Sequence, residues 1–263
     1  MDNDPEKLIK SDRLTEAKEL LMNMVKEAPF DIQLKNLLFQ TLIFCGEWEL
    51  ADNHLDHILH QKPENQKPID FYKQLLKSEK LRKEISKTEN VPILVPEIPT
   101  YMDMYLEGKK KLMSHEIQNA ASIFNKIDSS RSSISGTLNE KPFDGFNNID
   151  MFLSFFLEAF INDQYVWIPF EYIKTLKIPL PQTLYDLIWT PSNIIFRNGI
   201  CLNCYLPVLY PDSSLHENDK VKLGRMTDWV SFGMNFYQGQ GQQMFKTNDY
   251  EFSILEIREL ALT

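Results

Sequence analysis

Two stretches in the first third of the chain are versions of each other. DRLTEAKELLMNMVKEAP ends at Pro29 and GEWELADNHLDHILHQKP ends at Pro63. They align Leu14 with Trp48, Ala17 with Ala51, Leu21 with Leu55 and Pro29 with Pro63, always 34 residues apart. Leu8 and Leu42 extend the register upstream. A unit of that length cannot enclose a core of its own, so copies must stack and bury their faces on one another. The residue types say how. A large side chain opens a helix, a small Ala lets two helices cross closely, and a Pro stops the helix.

Thirty-four residues is the tetratricopeptide period. The spacing predicts paired helices over about 31–44 and 48–61, with Leu37, Leu38, Thr41, Leu42 and Cys45 recurring at helical intervals. A third, poorer unit falls at about 101–127, where Ala120 aligns with Ala51, and a long charged helix at about 69–87 lies between. Such stacks serve either as architecture alone or as a face offered to another chain.

Three prolines in VPILVPEIP, residues 91–99, forbid a helix and predict an extended connector. The polar, Ser-rich DSSRSSISGTLNEKP, residues 128–142, marks the expected boundary between a domain at 1–128 and another at 129–263. Beyond it the pattern changes. Residues 149–160 read as a very apolar helix with Asp150 near its start, and PLPQTLYDLIW as a turn or short helix. IIFR and ICLNCYLPVLY, split by Asn198-Gly199, predict a β-hairpin, because both linking residues tolerate positive φ. Residues 214–224 read as a helix, and TDWVSF and QQMFKTNDYEFSILEIREL as strands. The expected class is α+β: tetratricopeptide-like helical repeats, then an α+β domain with a small antiparallel sheet.

The chain has 263 residues, 43% of them hydrophobic and 12% aromatic, enough for a sizeable core. Its net charge of −9 argues against a duplex nucleic-acid binder, whose affinity comes from Lys and Arg on phosphates, and suits protein partners. The most apolar run, residues 151–161, carries Glu158 and covers about half a bilayer, so no membrane span is expected. MDNDPEKLIK is charged and lacks the apolar segment of a secretory signal. Cys45, Cys201 and Cys204 make no disulfide framework, and a cytoplasmic location fits best.

Candidate chemistry is sparse. Cys201 and Cys204 form a C-x-x-C, but within a predicted strand their side chains face opposite sides, which favours packed or idle thiols over a redox or zinc site. His54, His57 and His60 step along one predicted helix without a completing ligand and read as a solvated face. G-x-S-x-G, G-x-G-x-x-G and the P-loop pattern do not occur. GQGQQ, residues 239–243, reads as a turn. No catalytic, cofactor or metal residues are expected. Four rings fall within eight positions of DQYVWIPFEYIK, namely Tyr165, Trp167, Phe170 and Tyr172, joined by Trp189 downstream. These rings read first as core, second as an exposed docking patch, third as a small-molecule pocket. The corresponding functions are an adaptor, an enzyme of unknown class with a pocket near Trp167, Tyr172 and Trp189, and a dimer built on an apolar patch.

One further reading rests on resemblance. The order Tyr165, WIPFE at 167–171, Ile173, Leu176, Ile178, Pro181, Leu184 and DLIWTP at 186–191 resembles the ImpE family, also called SciE or TagJ. GTLNEKPF at 136–143, Tyr210-Pro211, TDW at 227–229, GQGQQM at 239–244 and the helical stretch at 39–51 fit as well. The resemblance implies a cytoplasmic, non-enzymatic accessory protein of a bacterial type VI secretion system. Some members bind the N-terminal segment of the small sheath subunit, which links them to the contractile sheath and to the AAA+ ATPase that dismantles it. Cys201 and Cys204 are not part of the family pattern.

Overall fold

The computed structural model describes residues 4–94 and 97–263. The first three residues of the charged N-terminal stretch, and Val95 and Pro96 of the proline-rich connector, lie outside the described residues. Helices come first: α1 (Pro5–Lys10), α2 (Leu14–Glu27), α3 (Ile32–Phe44), α4 (Trp48–Gln61), the long α5 (Gln66–Ser86), α6 (Met102–Met113) and α7 (Ile117–Ser130). Leu14, Ala17 and Leu21 of α2 and Ala51 and Leu55 of α4, the periodic positions of the repeat, are buried. Asp4 and Asp31 cap α1 and α3 by accepting from backbone N–H groups of the first turn.

From Ser135 onward the chain is mostly strand: β1 (Ser135–Leu138), β2 (Lys141–Asp144), β3 (Asn147–Asn148), β4 (Phe156–Ile161), β5 (Gln164–Pro169), β6 (Ile173–Lys177), β7 (Trp189–Phe196) and β8 (Cys201–Pro207). After the short α8 (Asp219–Lys222) follow β9 (Thr227–Gly233), β10 (Phe236–Gly241), β11 (Met244–Lys246), β12 (Glu251–Ser253) and β13 (Glu259–Leu262). The class is α+β. The sheet, however, is not small: eight strands run in the order β2-β1-β13-β6-β7-β8-β4-β5, all neighbours antiparallel. It exceeds the expectation because β13 is inserted between β1 and β6, a pairing of segments far apart in sequence that no local pattern announces. A two-stranded ribbon (β9, β10) and a three-stranded sheet (β12-β11-β3) complete the half.

The Asn198-Gly199 hairpin forms: β7 and β8 pair from Trp189↔Pro207 to Ile195↔Cys201, and Gly199 has φ +87°. Other expectations need correction. Residues 149–160 are not a helix but a turn followed by β4. Asp150 accepts from Phe152 N–H and Leu153 N–H, closing the turn, and all six residues of β4 are buried. A strand covered on both faces loses the alternation that marks strands, so it reads like a buried helix. GQGQQ is not a turn either. Residues 238–241 run in β10, where Gly239 lies against the Tyr210 ring, 2.2 Å from where a Cβ would stand. In 214–224 only Asp219–Lys222 is α-helical.

One apolar core runs through both halves, with Tyr105 of α6 edge-on to Phe156 of β4 at 4.9 Å and Phe124 of α7 beside Phe155. The connector lies along the outer edge of β5: Leu94 N–H donates to Trp167 O (2.9 Å) and Trp167 N–H to Pro92 O (2.7 Å). The edge strand is thus covered by the chain itself. No helix is long and apolar enough to cross a membrane among the described residues.

Candidate functional site

A connected network of buried polar groups sits where α5 packs on the sheet. Arg82 of α5 meets Glu158 of β4 side-on, Nε to Oε1 at 2.9 Å and Nη2 to Oε2 at 2.6 Å, and also donates to Leu209 O (2.6 Å). The two side chains are 4% and 0% exposed, so the pair is isolated from water. Glu79, one turn before Arg82, accepts from Trp189 Nε1–H at 2.9 Å and lies 3.4 Å from the guanidinium. Tyr165 O–H donates to Glu158, and Trp167 Nε1–H donates to the Tyr165 oxygen. Gln243 donates to Glu158 (2.8 Å) and Pro207 O (2.9 Å) and accepts from Asn148 (3.2 Å). Asn148 in turn accepts from Tyr210 O–H (2.8 Å) and from Asp150 N–H (2.9 Å). Asp150 ends the chain of bonds by accepting from Gly239 N–H at 2.9 Å.

Burial sets the electrostatics. It opposes the charge of Arg82, but Glu158 and Glu79 outweigh it and hold the guanidinium above its ordinary value. Burial raises the Glu79 carboxyl against the pull of Arg82 and the Trp189 bond. Tyr165 is pushed well above the ordinary phenol range by burial and by Glu158. Burial also lifts Asp150 to about 7, although three backbone donors favour its ionised form. Polar groups this enclosed are tolerated because each is bonded, and such networks fix one arrangement of the elements around them.

Of the five rings singled out in the sequence, Tyr165, Trp167 and Trp189 meet in this network. All three are buried. Trp167 is also flanked by Phe156, by Tyr105 and by the Lys109 ammonium, 5.2 Å from its centroid. Phe170 is buried elsewhere, perpendicular to Phe146 at 4.9 Å and beside Phe245. Tyr172 is half-buried, its carbonyl accepting from Arg197 N–H at 3.0 Å. Sequence reasoning missed Glu79, Arg82, Asn148 and Gln243 as members. Glu158, the one acid in the most apolar run, was the available signal.

The thiols are apart. Cys201 is exposed on β8, where its sulfur accepts from Asn193 (3.1 Å), and Cys204 is buried and lifted to about 12 by burial. The helix face of histidines is not uniformly solvated: His54 is buried with Nε2 3.0 Å from Lys35 O, while His57 and His60 are exposed. Among the described residues no three His, Cys, Asp or Glu side chains group as metal ligands.

Residues 140–261 match the model of the ImpE protein family. In this segment the chain is similar to the ImpE family. The match takes in the five rings and, in the network, Asn148, Asp150, Glu158, Tyr210 and Gln243; α5 lies outside it. The Pseudomonas aeruginosa protein named type VI secretion system accessory component TagJ is 26% identical over 97% of this chain and 89% of its own length. A crystal structure of a Vibrio parahaemolyticus protein superposes with a TM-score of 0.88 over 98% of this chain and 97% of that one, at 22% identity, and so shares the fold. The matched segment therefore supplies one wall of the buried network, and α5 supplies Glu79 and Arg82.

Proposed function

We propose that this protein is a non-enzymatic accessory component of a bacterial type VI secretion system, acting in the cytoplasm by holding another protein chain. The observation that carries the reading is the likeness to the accessory component TagJ along nearly the whole length of both chains. The match of residues 140–261 to the ImpE model supports it from a second direction. Within this reading residues 1–128 are a tetratricopeptide-like repeat domain and 129–263 an ImpE-type domain. The partner is the small subunit of the contractile sheath, with a link to the AAA+ ATPase that dismantles the sheath. A partner helix would be gripped by apolar anchors at i, i+3, i+4 and i+7. Tyr165, Trp167, Phe170 and Trp189 serve packing in this scheme, not docking.

The test is titration of the purified protein with peptides from the small sheath subunit of the same system, and with the ATPase. Saturable binding to the subunit is expected. Absence of binding to both at high micromolar concentration would sink the proposal.

A further inference from the structure

Lys109 of α6 is 2% exposed, as enclosed as Arg82, but it is matched differently. Arg82 has two carboxylates and a carbonyl around it. Among the described residues no carboxylate lies within ion-pair reach of the Lys109 ammonium. Of its three N–H groups one donates, to Asn90 O at 2.9 Å, and the charge faces the Trp167 ring at 5.2 Å. Glu89 favours the charge from a distance, but Glu89 is exposed and stands 3.9 Å from Lys110. The titratable groups packed on or bonded to Trp167 are the Tyr105 and Tyr165 phenols, which burial keeps neutral. Burial therefore outweighs Glu89 and takes the ammonium from 10.5 down to about 8.

Asn90 stands at the start of the connector that covers the edge of β5. Among the described residues, three hydrogen bonds tie residues 90–94 to the rest of the molecule: the one from Lys109 and the two at Trp167. Val91, Pro92, Ile93 and Leu94 are half-buried. One bridge, Ile93↔Trp167, joins the segment to the sheet, whereas β4 pairs with β5 along six residues.

We propose that residues 90–94 are a strap that opens from the edge of β5 as a unit, and that the charge on Lys109 favours the open form. Under the closed strap the ammonium has one acceptor and no anion. With the strap open, water satisfies all three of its N–H groups. Opening also bares an edge of the eight-stranded sheet that the chain otherwise keeps covered. Because the ammonium is favoured in water and disfavoured under the strap, opening is easiest below about pH 8. It becomes harder as pH rises from about 8 toward 10.5. The device is independent of which partner the protein holds.

The experiment is amide hydrogen exchange of the full chain from about pH 7 to about pH 9.5, each rate divided by the intrinsic rate at that pH. The Leu94 and Trp167 amides report the strap. The Leu206 amide, in β8 between β7 and β4, reports global unfolding. Leu94 and Trp167 are expected to exchange well before Leu206, with an opening constant that falls roughly tenfold or more across that pH range. In Lys109→Met, opening near neutral pH is expected to drop roughly a hundredfold and to lose its pH dependence. If Leu94 and Trp167 exchange together with Leu206, no separate strap exists and the proposal falls. Equal or faster exchange in Lys109→Met also overturns it, because the lysine is then idle or a latch. An opening constant in the wild type that stays flat across the pH range overturns it as well.

Discussion

Two of the fastenings between the helical half and the sheet half obey opposite rules. At one, Arg82 and Glu158 are sealed from water and bonded on every side. At the other, Asp219 caps α2 while Arg225 donates to Ile9 O (2.9 Å) and Lys10 O (3.0 Å) at the end of α1, both within reach of solvent. A buried ion pair gains little over an apolar substitute but is costly to break, because one charge is stranded. A surface cap contributes modestly and is easily replaced by water. The first fastening therefore dictates how the halves meet, and the second only steadies the outermost helices.

The largest effect should come from breaking the buried pair. Arg82→Met is expected to lose about 3–5 kcal/mol in denaturant unfolding, and Arg82→Met/Glu158→Leu to recover part of it, since no charge is then stranded. If the single variant is neutral, the seam is not held as described. Ala51→Leu, which overpacks the repeat's helix crossing without touching either fastening, should cost roughly 1–3 kcal/mol. Asp219→Ala should cost about 1 kcal/mol, the usual loss of a cap, with proteolysis near residues 1–30 accelerated first. Lys77→Gln, which removes the exposed pair with Asp163, should change stability by less than about 0.5 kcal/mol.

The finest test is a slope. The Asp150 carboxyl is raised from 3.8 to about 7 in the fold, so its contribution is fully present below pH 3.8 and is lost as pH climbs through about 7. Asp219 is the reverse. Burial opposes its charge, but the Thr15 bonds and Lys222 outweigh it and hold the carboxyl below 3.8, so its contribution is lost only as pH falls through that depressed value. Thermal melts between pH 5 and 8 should flatten in Asp150→Asn and keep their shape in Asp219→Asn.

What could be read in advance follows the range of the interactions. Helices spaced by a repeat, and a hairpin turned by Asn198-Gly199, are written in neighbouring residues. The sheet order is not, because β1 and β13 are separated by nearly half the chain. β4 misled because burial on both sides erased its alternation. The polar network shows the same limit. Tyr165, Trp167 and Trp189 stood out as rings, and Glu158 as a lone acid among apolar residues. Arg82 was invisible in the charged run KSEKLRKE, where nothing marks the one cation that turns inward.

The position of β13 carries a consequence for how the protein comes into being. Gly136 to Leu138 face Leu260 to Leu262, and Leu176 faces Leu260 from the other side. Until residue 262 has left the ribosome, the β1–β2 hairpin has nothing to join and β6 shows the nascent chain a bare edge. The helices can form as they emerge, whereas the platform they rest on closes only once β13 is available, which leaves a sticky intermediate to be guarded for the whole interval.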